Sequence, residues 1–456
     1  MSAPARTAAP ALPLPAASRG GLLQVLGVAF GIAIIVGNTI GAGILRTPGS
    51  VASLLPSPTA FLLAWIAGGA YALLGVLSLA ELGALIPRSG GQYVFAREAF
   101  GPYAGFVIGW SDWISSAASV AAIAILIGEY TTTLIPALAG RSVTIAAAVV
   151  VVFTLLQWRG VRWGDRAQQV TSLIKALAFV ALIVACFALV PVTPAITAAP
   201  AVAPATASAF SFAAIVLAMQ SVIYTYDGWN GMLYFSEEVT DPGRQIPRAM
   251  VGGVLAVIAI YVLVNVAFIH VLGIGGVARS DFAAGAAARA LWGSAGDTVI
   301  RSLLVLALFS AVNAIILLAS RVPFAMSLDG LFPRWGTRVN AGGTPTTTLA
   351  LTGAAAVAFL LTGTFESVIA VAAFFFVLNY VASFAAVFVL RRAMPNAPRP
   401  YRAWGYPWTT AFSLLGGLAF LIGAIMSDRR NSLIALGILA VSYPVYALTI
   451  RRLARS

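Results

Sequence analysis

The stretch VGNTIGAGILRTP, Val36 to Pro48, decides the fold. It lies inside the first long apolar segment, yet packs three glycines, Gly37, Gly41 and Gly43, into seven residues. Each interior glycine costs a helix about 1 kcal/mol relative to alanine. In lipid an unpaired backbone group is expensive, so a broken helix persists only where it is buried or lines a water-filled cavity. A second such place is YTYDGWNG, Tyr224 to Gly231, again in the middle of an apolar segment. Two interrupted helices in corresponding positions of two halves point to a binding site near the bilayer midplane.

The surroundings of these two breaks agree with a membrane setting. Of the 456 residues, 60% are hydrophobic and only 9% charged, and the mean hydropathy is +0.95. Apolar runs of about 20 residues, the length that spans the hydrocarbon core, recur along the whole chain. The net charge of +13 raises the question of nucleic acid, but the basic residues are scattered among short loops rather than gathered in one patch. The single cysteine, Cys186, sits in an apolar run and excludes an intrachain disulfide; it reads as a packing thiol. No signal-peptide core precedes residue 20.

Twelve spans are predicted, at roughly 23–52, 59–86, 101–134, 143–157, 168–191, 210–235, 249–274, 297–327, 345–363, 366–392, 408–426 and 431–450. With the N-terminus inside, nineteen basic residues fall on the cytoplasmic side and six on the other, with Arg46 and Lys175 deeper in spans. This is the asymmetry of the positive-inside rule. Residues 1–20 read as a disordered cytoplasmic tail, 21–192 as a first five-helix unit and 193–209 as an external linker within the uncharged PVTPAITAAPAVAPATASAF, Pro191 to Phe210. A second five-helix unit follows at 210–394, then a cytoplasmic loop at 395–407 and two further helices with a tail at 408–456. The breaks fall in the first span of each unit, an offset that fits an inverted repeat.

A helix restarting near Gly43 points free N–H groups inward, and such an N-terminus favours an anion such as a carboxylate. Gly41, Ala42 and Gly43 offer backbone donors with little bulk. Unwound carbonyls near Tyr224 and Asp227 can accept from an ammonium. Together they describe a receptor for a zwitterion; the plainer alternative is a glycine-rich helix-packing interface. Trp229 and Asn230 close the second break and are read as shaping the pocket. Lys175, the only lysine against 26 arginines, lies within the fifth span. An intramembrane ionisable group is a functional hypothesis by default, and lysine gives up its proton on burial far more readily than arginine. Its alternative is to snorkel to the interface.

Other polar residues take structural readings first. Glu81, with Arg88 and Arg97 on the same side, is expected to pair. Asp112 and Trp113 face either the cavity or the interface. Glu129 and Tyr130 mark the outer end of the third span, and His270 is expected to have a satisfied structural role. Asn313 and Asn379 are intramembrane amides suited to hydrogen bonding between helices. Arg46, one turn beyond Gly43, reaches either a substrate acid or the external vestibule. No metal spacing, nucleotide loop or hydrolase triad occurs, so neither an enzyme nor a cofactor is expected.

These residues carry a resemblance. GNTIGAGI (Gly37 to Ile44), LAELGALIPRSGGQYVFAREAFGP (Leu79 to Pro102), VRWGDRAQQVTSLIKAL (Val161 to Leu177) and YTYDGWNGMLYFSEEVTDPGRQIPRAM (Tyr224 to Met250) are joined by NAIILLASRVPFAMSLDGLFP (Asn313 to Pro333) and NAPRPYRAWGYP (Asn396 to Pro407). The chain resembles the amino acid–polyamine–organocation superfamily, most closely its L-type amino acid transporter branch and bacterial relatives, from about residue 22 to about 407. The resemblance implies an all-α membrane protein of twelve transmembrane helices, with a leucine-transporter-type inverted five-plus-five repeat and discontinuous helices one and six. It implies substrate carboxylate at the backbone of Ala42 and Gly43, and amine at carbonyls of Thr39, Tyr224 and Asp227. It makes Tyr224 an aromatic gate, Asn379 a polar position shaping the pocket, and Lys175 a side chain that bonds unwound helix one where a sodium ion would otherwise sit. Ala42 stands where a serine is common, and Arg46 where the residue is usually apolar. The loop of Leu138 to Arg141 lacks the cysteine that links some relatives to a single-span partner, so no disulfide-linked heavy chain is expected.

The expected function is sodium-independent secondary transport of small or neutral amino acids by alternating access, through proton-coupled uptake or amino acid exchange. The expected setting is the lipid bilayer of a bacterial inner membrane, with both termini cytoplasmic and no nucleic acid partner. The alternatives are a non-transporting amino acid sensor of the same fold and a transporter of another amine such as a polyamine.

Overall fold

The computed structural model describes residues 27–88, 90–158, 164–190, 211–340 and 344–453. The expected tail at 1–20 and linker at 193–209 lie outside them. The described residues form helices and connecting turns, with only an isolated bridge between Val339 and Pro345.

In chain order the helices are α1 (Val28–Thr39), α2 (Ala42–Leu54), α3 (Pro58–Leu85), α4 (Gln92–Phe100), α5 (Pro102–Leu134), α6 (Ser142–Trp158), α7 (Gly164–Leu189) and α8 (Phe212–Tyr226). Then come α9 (Pro242–Ala278), α10 (Ala283–Leu328), α11 (Thr346–Thr362), α12 (Phe365–Ala393), α13 (Trp408–Ser427) and α14 (Arg429–Leu453). By length and composition α3, α5, α9, α10, α12, α13 and α14 can each cross a membrane, and α1, α6, α11 and the Ala176–Leu189 part of α7 are shorter apolar helices. This is an all-helical, multi-pass integral membrane protein.

The centre of the bundle is α5. Its apolar window is 89% buried, against 28% for α13 and 22% for α14. Lipid gives no hydrophobic drive between helices, so close packing does the work, and small residues permit it. Accordingly α5 buries Gly105, Gly109, Ser111, Ser115, Ala118, Ala121, Ala122 and Gly128, and α4, α6, α10, α11 and α12 pack around it. The outer helices instead present large apolar side chains such as Leu155, Leu177, Leu306 and Met426.

Two helical segments are not among the predicted spans. The eighth predicted span begins at 297, whereas α10 starts at Ala283 and bends at Gly293, so a helical segment of mixed polarity precedes the apolar run. Its alanine-rich, partly charged composition hides it from a hydropathy scan. The short α4, too polar and too brief for a span, lies between the second and third.

The two ends of the bundle are tied by different ion networks. At one end Glu81 on α3 is almost fully buried, and Arg391 on α12 grips both of its carboxylate oxygens at 2.8 and 2.5 Å. Arg399 approaches Glu81 within 3.3 Å, the Ala403 N–H donates to it at 2.6 Å, and the Arg391 guanidinium lies 3.6 Å over the Tyr406 ring. Glu81 is thus paired as expected, with partners supplied by the end of α12 and the loop after it. Arg88 and Arg97 turn to Asp329 instead, at 3.3 and 2.5 Å. At the opposite end Arg46 on α2 joins Glu129 of α5 and, at 2.9 Å, Glu366 of α12.

Candidate functional site

Both breaks are present, and they meet. α1 ends at Thr39, Ile40 and Gly41 are non-helical, and α2 restarts at Ala42. α8 ends at Tyr226, residues 227–230 form a turn, and a 3-10 segment runs over Gly231–Glu238. Two glycines let the breaks touch. A Cβ on Gly43 would fall 2.6–2.8 Å from Thr225 atoms, its Cα included, which real side chains do not tolerate. Gly228 has φ +111, and a Cβ there would lie 2.9 Å from Thr39 Oγ1 and 3.0 Å from Thr39 N. The Tyr261 hydroxyl on α9 sits 2.5 Å from the Thr39 carbonyl and 3.0 Å from that of Thr225, tying the end of α1 to the end of α8.

A cavity of about 80 Å³ opens between them. One water needs about 10–15 Å³ on this measure, so the space suits a small solute or several waters. From the first break it is lined by Asn38, Thr39, Gly41 and Gly43, and from the second by Tyr224, Asp227, Asn230 and Tyr234. Ser116 and Ser119 of α5 add hydroxyls, and Ile123, Ile315, Leu318 and Phe376 add an apolar wall, with Tyr224 stacked on Phe376 at 6.4 Å. Two lining atoms, Asn38 Oδ1 and Thr39 Oγ1, are buried without a hydrogen-bond partner. Buried polar atoms are rarely left so, and each calls for an occupant or a strain account.

Of the residues singled out from sequence, Thr39, Gly41, Gly43, Tyr224, Asp227 and Asn230 come together in this lining, and Ala42 is the first residue of α2. Trp229 and Asn379 do not line it. The Trp229 indole turns away to stack on Tyr380 at 4.7 Å. Asn379 faces α5, where its Oδ1 accepts from Ser111 at 2.5 Å. Lys175 lies on α7, and its side chain is outside the described residues.

Sequence reading missed Asn38, Ser116, Ser119, Tyr234 and Tyr261. The signal for the serines was present: Asp112, Ser116 and Ser119 recur at helical spacing on one side of an otherwise apolar helix. The milder readings fare as follows. His270 Nε2 lies 3.1 Å from the Val190 carbonyl, and its ring stacks on Phe187. Asn313 Oδ1 accepts from Gln157 at 2.5 Å, an amide bridge between helices. Cys186 is a free, buried thiol.

Residues 21–443 match the family model described as amino acid permease. The chain belongs to the amino acid permease family. This permease is 28% identical over 432 residues to a protein of Bacillus subtilis (strain 168) named serine/threonine exchanger SteT, covering 93% of this chain and 97% of that one. It is 28% identical over 446 residues to the human large neutral amino acids transporter small subunit 2, covering 95% and 82%. It is 33% identical over 263 residues to the mouse b(0,+)-type amino acid transporter 1, covering 55% and 52%. The permease sits with the L-type branch of its superfamily and bacterial relatives, and it is a transporter, not an enzyme.

Proposed function

We propose that this permease carries small neutral amino acids across the membrane by alternating access, with serine and threonine the first to test. The observation that carries the reading is the cavity shared by both breaks, with its orphaned Asn38 Oδ1 and Thr39 Oγ1. The substrate carboxylate would take the free N–H groups where α2 begins, at Ala42 and Gly43, which the helix dipole favours. Its ammonium would take the carbonyls of Thr39, Tyr224 and Asp227. The Thr39 carbonyl already accepts from Tyr261, but a carbonyl oxygen has two lone pairs and keeps one free. The small volume and the hydroxyls of Ser116 and Ser119 argue for a short polar side chain. A relative named serine/threonine exchanger points the same way.

In this reading the chain crosses the membrane twelve times. Residues 21–192 and 210–394 form an inverted five-plus-five repeat, the connection at 193–209 lies outside, and 408–456 adds two helices. The Glu81 end is cytoplasmic by the positive-inside rule, with both termini on that side of a bacterial inner membrane. Lys175, by family resemblance, braces the unwound part of the first span, which makes transport sodium-independent. Amino acid exchange is the first reading and needs no heavy-chain partner. Proton-coupled uptake is the second.

The test is uptake of radiolabelled amino acids by purified protein in liposomes, with and without internal amino acid and under an imposed pH gradient. Exchange requires internal substrate and is indifferent to the gradient. Uptake into empty, internally alkaline liposomes makes the permease a proton symporter. Absence of uptake across the whole panel sinks the amino acid reading.

A further inference from the structure

One carboxylate stands a single hydroxyl away from the cavity. Asp112 on α5 is buried and does not line the cavity, but Tyr234, which does, gives its hydroxyl to it at 2.7 Å from Oδ1 and 2.8 Å from Oδ2. A carboxylate at membrane depth is expensive unless it is paired or takes a proton. Among the described residues no arginine forms a salt bridge with it. Of the arginines described on helices packed against α5, Arg46 pairs with Glu129 and Glu366, Arg97 with Asp329, Arg289 and Arg301 with Asp297, and Arg391 with Glu81, while Arg392, Arg429 and Arg430 are exposed at helix ends. Arg88 holds Glu98, and Arg321 lies over the Phe235 ring. Among the described residues, the one charged group within electrostatic reach of both Asp112 and Tyr234 is Asp227, a like charge that itself accepts from the Tyr380 hydroxyl.

We propose that Asp112 is a proton-binding site that acts through Tyr234, setting whether the cavity is offered a hydrogen-bond acceptor or a donor. When Asp112 is ionised, both its oxygens are acceptors, the Tyr234 proton is drawn toward them, and the phenolic lone pairs are left for the cavity. When Asp112 takes a proton from water, its own O–H donates to the Tyr234 oxygen, and the phenolic proton is freed to turn inward. No other bond changes, and the proton returns to water on reversal. Tyr234 lines the second-break side of the cavity, which is assigned to the ammonium, so the acceptor it presents when Asp112 is ionised suits a bound ammonium, and a bound ammonium favours that state. Binding and protonation are then linked reciprocally: substrate expels the proton, and a proton weakens substrate. The choice of amino acid as probe rests on the proposed function, whereas the proton site does not.

Two measurements decide it. Infrared difference spectra of the substrate-free protein between acid and alkaline pH should contain a protonated-carboxyl C=O band that Asp112→Asn removes and Tyr234→Phe shifts. L-serine binding to the wild type should tighten about fivefold or more from mildly acidic to mildly alkaline pH, a typical size for coupled sites. Both variants should lose that dependence, and Tyr234→Phe serves if Asp112→Asn does not fold. A band untouched by Asp112→Asn, or a pH dependence that survives Tyr234→Phe, overturns the proposal. If no amino acid binds the wild type at any pH, the transport reading fails, while the infrared band still decides the proton site.

Discussion

The Tyr261 hydroxyl donates to the carbonyl of Thr39 across 2.5 Å, so that α9 holds the last residue of the first half-helix. The phenol has one proton and two carbonyls in reach, Thr39 and, at 3.0 Å, Thr225. It therefore serves one fully and the other by proximity. Through this one side chain the two breaks share a support that is not itself part of the cavity lining.

Tyr261→Phe should leave the packing of the ring with Trp65 and Tyr226 intact and remove only the hydroxyl. An orphaned buried acceptor costs about 1–3 kcal/mol. The expected result is a lower melting temperature in detergent together with a raised KM for transport. A variant that matches the wild type in both would show that the breaks need no support from α9.

The contact between the breaks is itself open to test. Gly43→Ala and Gly228→Ala each insert a methyl into space already filled by Thr225 or Thr39, and Gly228 is in addition left-handed. Overpacking of this kind costs about 1–3 kcal/mol, and here it widens the cavity by forcing the half-helices apart. Both variants should reach the membrane in normal amount, yet lose most substrate binding in a direct radioligand assay. Gly437→Ala, where nothing lies within 4 Å of the added methyl, is the control that should bind normally.

Glu81 offers a prediction about stability alone. It accepts from Arg391 and from the Ala403 N–H and lies beside Arg399, all at the end of the bundle remote from Arg46. Removing one partner of a buried pair costs about 3–5 kcal/mol, and because Arg391 is partly solvated the low end of that range applies. Glu81→Gln should lower the melting temperature measured by size-exclusion after heating. If it leaves melting unchanged while abolishing binding, Glu81 has a role in the cycle that its contacts do not explain.

What sequence alone made legible follows from how local each signal is. The breaks were readable because glycines inside an apolar run are a local anomaly, and their shared cavity contains Thr39, Gly41, Gly43, Tyr224 and Asp227. Trp229 is read into the pocket from its place in the second break and Asn379 from the family resemblance, but the turn at 227–230 and the rotation of α12 decide which way they face. Both turn elsewhere, to Tyr380 and Ser111. Tyr261 looked like one more aromatic in an apolar helix. Its role depends on two carbonyls distant in sequence, and no periodicity encodes that. The pairing of Glu81 was legible in kind, since a buried acid needs a cation. Its partners were not, because they come from the end of α12 and the loop after it, more than three hundred residues on.

The Arg46 cluster leads to the last prediction. Arg46 ties α2 to α5 through Glu129 and to α12 through Glu366, and its guanidinium lies 4.9 Å over the Phe365 ring. These contacts close one end of the bundle above the cavity, and they are partly exposed, so together they hold the closed arrangement by no more than about 1 kcal/mol. Such a latch is strong enough to bias an equilibrium and weak enough to release in every cycle. With the Arg46 end facing outward, as proposed, Arg46→Gln should shift the population toward an outward-open form by up to about fivefold, since about 1.4 kcal/mol corresponds to tenfold. The check uses a Cys186→Ala background, which removes the single native thiol, with Ser119→Cys placed in the cavity lining. A membrane-impermeant maleimide added to intact cells should label that cysteine faster when Arg46→Gln is present, and high salt should speed labelling only in the protein that keeps Arg46, because screening weakens its ion pairs. Equal labelling rates in both proteins would mean that the Arg46 cluster shapes the vestibule without governing its opening.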